Sequence, residues 1–360
     1  MKNSYLVAGI TLKHLFRLLC RNKISCHPKY LFRLFFIFQS AFWSSLFSII
    51  EKKRFGNQIK AIDNIPGPIF IIGHWRTGTT FLHKLMSLDP NFSAPTLFQV
   101  AIPDGCLSSY KFYKPLMQLM VSEHRPMDMV KLGMDEPQED EYAIFRMTDY
   151  SPLERLVFPE SGEYFLMNCD SFVPQVKKRP EWDETLKYFF SKLYFSSGKT
   201  IVSKNPFNSM RIRELKKIFP DARFIHIYRH PFNVIPSTIH MFDIVQQQNC
   251  LNKNKARPGI PEVIKVFGHF MTVIRNDLSS LPADNFYEIR FEEFESDPIQ
   301  SLKTLYRSMG LEYSGEFGKN VTSYLSEVAD YKKNKFNLSE EEKNLISTSL
   351  ENHMKYYNYL

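Results

Sequence analysis

Between Gly73 and Thr80 the chain reads GHWRTGTT, which puts two glycines, three threonines and one arginine into a single short run. The run follows four apolar residues, Ile69 to Ile72, and precedes Phe81, Leu82, Leu85, Met86 and Leu88, whose spacing is helical. A loop so placed turns successive backbone N–H groups into one concavity and adds the positive end of a helix dipole, so its chemistry is anion binding, of phosphate above all. A loop built for ATP or GTP has the form GxxxxGK followed by Ser or Thr, and its lysine falls on Thr79 here, which removes the usual contact to the β- and γ-phosphates. The positive charge stands instead at Arg76.

Arg229 closes the apolar run Arg223 to Tyr228, with Ser237 eight residues later on a helical pattern, and Lys204 ends a short strand-like run; taken singly, these read as a surface arginine, a helix serine and a solvated lysine. Chemistry that needs a proton acceptor would use a carboxylate or a histidine. The acidic run Asp135-Glu136-Pro137-Gln138-Glu139-Asp140-Glu141 offers Glu139 and Glu141, with His124 as a weaker candidate, and Pro137 is expected to start a helix there. The alternative reading of that run is a charged helix N-terminus with no chemistry. No cluster has metal-ligand spacing, and the five cysteines are scattered with no CxxC pair, so no metal is expected and a reducing compartment is the simpler assumption.

The elements that position these residues alternate. Strands are expected at Ile69 to Ile72, Ile201-Val202, Arg223 to Tyr228 and Phe286 to Phe291, with helical patterns between them at Ser209 to Ile218, Pro231 to Met241 and Glu262 to Leu281. That alternation predicts an α/β fold, a P-loop-like parallel sheet covered by helices on both faces. Residues 59–360 are read as one domain, with a helical, strand-free insertion on the acceptor side at about 89–199. Ser339 and Glu342 form a capping-box pattern that opens a C-terminal helix.

Residues 1–58 are read as a separate apolar and basic helical segment. Leu34 to Ile50 carries no charge, at the lower limit for a spanning helix, and it is flanked by Arg33 and by Lys52, Lys53 and Arg54. A helix lying in the membrane interface, with peripheral contact through residues 30–54, or docking on a partner, is the favoured reading, and with the reducing compartment suggested by the cysteines a cytoplasmic, membrane-associated protein is expected. A single span, as in a Golgi-type membrane protein, and a helix folded onto the domain's own core are the alternatives.

Four segments together resemble the PAPS-dependent sulfotransferase superfamily, whose donor is 3'-phosphoadenosine 5'-phosphosulfate. Arg76-Thr77-Gly78-Thr79-Thr80 is similar to its 5'-phosphosulfate loop, and RFIHIYRHPFNVIPS, with Arg229 and Ser237, to its 3'-phosphate motif. Ser203-Lys204-Asn205-Pro206-Phe207 resembles a segment of tyrosylprotein sulfotransferases and related bacterial enzymes, and Phe291-Glu292-Glu293 with Asp297-Pro298 resembles a fourth family segment. The resemblance implies that Arg76, Thr77, Gly78, Thr79 and Thr80 hold the donor's 5' end, that Arg229 and Ser237 hold its 3'-phosphate, and that Phe291 lies near adenine. It further implies that Arg76 and Lys204 offset charge at the transferring group. The glutamate that several branches use as base is absent from Ala94-Pro95-Thr96-Leu97, and the acidic run resembles a segment of a bacterial branch instead.

The length of 360 residues and 44% hydrophobic content allow a full core, and the net charge of +8 fits anionic partners. The expected partners are PAPS and an acceptor that the sequence does not identify, a glycan, lipid, peptide or small alcohol; nucleic acid is not expected. Two other classes remain: a P-loop nucleotide kinase, and a non-catalytic nucleotide- or anion-binding protein.

Overall fold

The computed structural model describes residues 6–120, 124, 130–149, 151–159, 181–252, 258–331 and 334–360. The chain begins with α1 (Leu12–Arg21), α2 (Leu31–Lys60), β1 (Ile69–Ile72), α3 (Thr79–Met86), β2 (Phe92–Ser93) and α4 (Leu97–Ala101). After these come α5 (Cys106–Met120), α6 (Glu141–Thr148), α7 (Glu154–Val157), α8 (Glu181–Ser197), β3 (Thr200–Lys204), α9 (Ile212–Ile218) and β4 (Arg223–Tyr228). The remainder comprises α10 (Pro231–Asn249), α11 (Ile260–Leu278), β5 (Phe286–Arg290), α12 (Phe291–Ser296), α13 (Pro298–Ser308), α14 (Gly315–Glu327), α15 (Glu340–Ser349) and α16 (Glu351–Tyr356).

Contacts divide the chain into two compact units, one of residues 1–65, 95–198 and 241–257, the other of residues 66–94, 199–240 and 258–360. The second unit holds the sheet, in strand order β2-β3-β1-β4-β5 with every pair parallel. β1 is central and buried at all four positions, which is why its sequence is an unbroken apolar run and not an alternating one. Its neighbours lie in register, Ile71 opposite Lys204 on one side and Ile225 on the other. The chain leaves β1 toward β2 and β3 on one side and returns to β4 and β5 on the other. The crevice at its carboxyl end is therefore the topological switch point, where parallel sheets bind ligands. Leu82, Leu85, Phe294, Leu302 and Phe317 pack with the strand residues into one core.

The parallel α/β fold agrees with the sequence expectation. Three local expectations need correction. Phe92–Ser93 pairs with Thr200 and Ile201, so a short strand lies in a stretch read as strand-free. Two residues carry no periodicity, and edge pairing alone makes them a strand. Pro137 does not start a helix but bridges to Thr96, and α6 begins at Glu141. The predicted C-terminal helix is two helices, α15 and α16; the capping box is present, with Ser339 Oγ accepting from Glu342 N at 3.2 Å and Glu342 Oε2 accepting from Ser339 N at 2.7 Å.

The first unit is organised by α2, whose polarity is inverted relative to an ordinary surface helix. Its inward stripe includes Ile37, Ala41, Ser44, Ser48, Glu51 and Ile59, all buried, and Ser45 Oγ accepts the N–H of Leu12 at 2.8 Å. Glu51 Oε2 accepts from Leu107 N at 2.7 Å and Ser108 N at 3.0 Å, so its carboxylate answers orphan donors in the first turn of α5 and meets the positive end of that helix. Lys192 of α8 pairs with Glu51 and donates to Pro103 O, at 1% exposure on each side of the pair. Burial opposes the Lys192 charge, but Cys106, Glu51 and Asp104 outweigh it and raise its pKa. Two ions this deep are stable only as a pair, because either one alone would be an uncompensated buried charge. Lys192→Met is therefore expected to lower the stability of the first unit by about 3–5 kcal/mol, while Lys192→Met combined with Glu51→Gln should recover part of the loss. Urea titration followed by far-UV circular dichroism measures both; an unchanged midpoint in the single variant would contradict the assignment.

Candidate functional site

The loop after β1 is held open by its two glycines. Gly73 lies at φ +150°, where an added Cβ would come 2.5 Å from Ile227 O and 2.9 Å from Thr77 Oγ1. Gly78, at φ +99° before the first turn of α3, is pressed against Phe291, whose Cδ2 would stand 2.1 Å from an added Cβ. A side chain at either place would displace the backbone, so the turn requires glycine. Arg76 itself adopts φ +68°, a left-handed conformation costly for a residue with a Cβ, and within the loop Thr77 Oγ1 donates to His74 O at 2.8 Å. Thr79 is buried and Thr80 half-buried at the start of α3.

Residues far apart in sequence converge on this loop. Arg76 Nε donates to Ser237 Oγ at 2.8 Å, and Arg229 donates through Nη1 to Arg76 O at 3.2 Å. The Arg229 guanidinium lies 4.4 Å from the centre of the Phe291 ring, a cation–π arrangement that holds its plane. Burial lowers the pKa of Arg229, and among the described residues its Nε is buried with no hydrogen-bond partner. A buried cationic donor left unanswered is costly, and an anion is the group that would answer it. Lys204 is buried at the carboxyl end of β3, beside the last turn of β1. The two nearby histidines add no charge, since burial pushes His74 down to about 4 and His83 to about 3, the latter with help from the Lys204 cation.

The sequence-predicted residues Arg76, Thr77, Gly78, Thr79, Thr80, Arg229, Ser237 and Phe291 thus belong to one neighbourhood, with Lys204 on the adjoining strand. Phe291 is 5% exposed and supports Gly78 and Arg229 from beneath. Two contributors have no role assigned from the sequence, Ser209 and, within the Phe291-Glu292-Glu293 segment, Glu292. Ser209 brackets Gly73, accepting its N–H at 2.9 Å and donating to its carbonyl at 3.1 Å. Glu292 accepts the backbone N–H of His230 at 2.9 Å, beside Arg229. No local pattern announces Ser209, which only its position after Pro206-Phe207 could have marked, and the segment that contains Glu292 gives no sign of the bond it makes.

The acidic run lies in the first unit. Glu141 is buried and accepts from Ser151 Oγ at 2.5 Å, whereas Glu139 is half-buried and precedes the helix. Asp140, at the N-cap of α6, makes no side-chain cap bond, and Glu141 lies in the first turn of that helix, where the dipole favours an acidic side chain. Because Glu139 is outside α6, the angular spacing of a helix does not relate it to Glu141. His124 is exposed and bridges to Lys131.

Residues 68–315 match the family described as Sulfotransferase family. Two curated relatives, both named omega-hydroxy-beta-dihydromenaquinone-9 sulfotransferase Stf3, from Mycobacterium bovis and Mycobacterium tuberculosis, are each 32% identical over 92% of this chain and 85% of their own length. Among solved structures, sulfotransferase STF9 from Mycobacterium avium superimposes with a TM-score of 0.70 at 15% identity, covering 95% of this chain and 90% of that one. Sulfotransferase STF1 from Mycobacterium tuberculosis gives a TM-score of 0.58 at 16% identity, covering 95% and 87%. At those identities the two structures speak for the fold alone, while the family match and the curated relatives speak for the activity. The chain therefore belongs to the Sulfotransferase family and is a sulfotransferase, an enzyme that moves a sulfuryl group from a donor to an acceptor.

Proposed function

We propose that the donor is PAPS and that the acceptor is a hydroxyl on a lipid-soluble molecule. The observation that supports the donor reading is the buried Nε of Arg229, which has no hydrogen-bond partner among the described residues, next to the Arg76–Ser237 pair. PAPS, when bound, supplies the sulfuryl group: a bond forms from the acceptor oxygen to sulfur as the bond from sulfur to the 5'-phosphate oxygen breaks. Thr77, Gly78, Thr79 and Thr80 would hold the 5'-phosphate with N–H and hydroxyl donors. Arg76 and Lys204 would balance the negative charge that builds on the leaving oxygen, where preorganised cations contribute most. Arg229 and Ser237 would take the 3'-phosphate, and Phe291 would keep Arg229 aimed while touching the edge of adenine. Adenosine 3',5'-bisphosphate should accordingly bind about 10–100-fold more tightly than AMP, the worth of one or two hydrogen bonds to a charged group. Calorimetry on Arg229→Ala should show most of that preference gone, and equal affinities in the unaltered protein would overturn the PAPS reading.

The acceptor proton is assigned to Glu139 or Glu141. Glu139→Gln or Glu141→Gln is expected to lower turnover by roughly 10²–10⁴-fold with nucleotide affinity almost unchanged, because the loss is confined to the transition state. Burial and the Ser151 bond make Glu141 the one whose replacement also tests stability. Near-normal turnover in both variants would move the assignment to His124.

The lipid acceptor is supported by the hydroxylated menaquinone in the name of the Stf3 relatives and by the outward face of α2. Phe32, Phe35, Phe42, Trp43, Leu46 and Ile49 are exposed there at 40–79%, and Lys52, Lys53 and Arg54 follow. An apolar stripe ending in cations suits an anionic bilayer, with α2 lying in the interface and the protein cytoplasmic and membrane-associated. A span is disfavoured, because crossing would pull Glu51 from Lys192. Deleting residues 1–54 would remove core packing, so surface changes are the fitting test. The triple variant Phe35→Ser, Phe42→Ser, Leu46→Ser should keep its urea midpoint yet lose more than about tenfold in flotation with phosphatidylglycerol vesicles; equal flotation would mean that this face meets something other than lipid.

A further inference from the structure

The last residues of the chain fold back onto the segment that carries Arg229. Helix α16 ends at Tyr356, and Asn358 takes φ +55°, the left-handed conformation that asparagine tolerates at a helix end. The N–H of Tyr359 then donates to Met354 O at 2.8 Å, the long closing bond of that helix-end motif, which reverses the tail. Tyr357 is thereby placed against Tyr228, with ring centres 4.2 Å apart, and Tyr359 stands against His230 at 4.8 Å and beneath the Arg290 guanidinium at 4.3 Å.

The polar contacts single out Glu292. Its Oε2 accepts from Tyr359 Oη at 3.0 Å, and its Oε1 accepts from the backbone N–H of His230 at 2.9 Å. His230 in turn accepts from Phe232 N through Nδ1 at 3.2 Å and receives the N–H of Asn233 on its carbonyl at 3.0 Å, so it fastens the first turn of α10, the helix that bears Ser237. One carboxylate thus links the tail, the residue after Arg229 and the start of the Ser237 helix. Nothing in this arrangement is needed to complete the sheet, whose strands are paired without it.

We propose that Tyr359, working through Glu292 and His230, is a positioning residue for the donor's 3'-phosphate, so that the C-terminal tail sets how selectively the enzyme takes a 3'-phosphorylated nucleotide. The inference rests on the donor reading above. Tyr359 would touch no donor atom; it fixes the Glu292 carboxylate, which fixes the peptide joining Arg229 to His230. An arginine whose backbone is free to shift loses the geometry of a charged hydrogen bond, and such bonds weaken steeply with misalignment.

The experiment compares affinities for adenosine 3',5'-bisphosphate and AMP by calorimetry in the full chain, in Tyr359→Phe and in Tyr359→Ala. Tyr359→Phe keeps the ring on Arg290 and His230 and removes only the hydroxyl, so the bisphosphate should weaken a few-fold; Tyr359→Ala should weaken it about tenfold, the equivalent of one hydrogen bond to a charged group. AMP affinity should change less than twofold in both, which a general loss of folding could not produce. Asn358→Gly, which keeps the left-handed turn, should bind like the parent, and Asn358→Val should resemble Tyr359→Ala. A parental preference for the bisphosphate that survives unchanged in both Tyr359 variants overturns the role of the tail alone, as does an equal loss of both nucleotides. Absence of any preference in the parent overturns the donor reading first, and the tail inference with it.

Discussion

Arg229 joins three elements at one point. It donates to the carbonyl of Arg76, in the loop after β1, while its guanidinium lies on Phe291, the residue that follows β5, and it is itself the residue that follows β4. The carboxyl ends of three strands are fastened by a single side chain, at the position proposed to hold the 3'-phosphate. The strained backbone of Arg76 persists because these contacts over-determine it, the usual circumstance in which a left-handed non-glycine residue survives at a functional site. Gly78 is part of the same joint: only without a Cβ can the loop lie on Phe291 closely enough for the Arg229 bond to form.

Cationic density in the loop is selective because the neighbouring histidines stay neutral. His74 and His83 are fully buried, and burial keeps both uncharged at neutral pH. Charge is left to Arg76, Lys204 and Arg229, which differ in reach and in freedom. Arg76 is already engaged by Ser237 and Arg229 by Phe291. A donor would meet side chains held in place before it arrives, so little ordering entropy would be lost on binding.

In the first unit the governing constraint is the opposite of the ordinary one. Helix α2 turns its serines and Glu51 inward and much of its aromatic surface outward. Ser40 and Ser45 accept from Gly9 N and Leu12 N, and Glu51 accepts from the first turn of α5 and pairs with Lys192, whereas the buried Ser44 Oγ has no hydrogen-bond partner among the described residues. Burial of a polar stripe is tolerable only with such partners, and it gives the helix a fixed rotation about its axis, because a turn of one residue would expose the ion pair. The outward aromatic face is a consequence of that fixed rotation.

The parallel character of the sheet, the glycine loop after its first strand and the lack of an ATP-type lysine there were legible in the sequence, because each is written in neighbouring residues: a buried apolar run, a glycine pair, helical spacing. Resemblance extended this to Arg229, Ser237 and Lys204 as members of one site. What the sequence could not give was the geometry of their meeting. Arg76 and Ser237 are 161 positions apart and Arg229 and Arg76 are 153 apart, and no local period records which distant partner a side chain finds. The same holds for α2: its composition told of an apolar helix, but only packing against α5 and α8 decided that the serines and Glu51 face inward and that Trp43 and the phenylalanines face out. Pro137 failed as a helix start for a related reason, since its bridge to Thr96 won over its local preference. Sequence alone determined the main strands and helices and the anionic character of the ligand they suit; tertiary structure decided the edge strand Phe92–Ser93, the start of α6 and which distant residues meet, because burial and pairing are properties of contacts between segments that sequence order keeps apart.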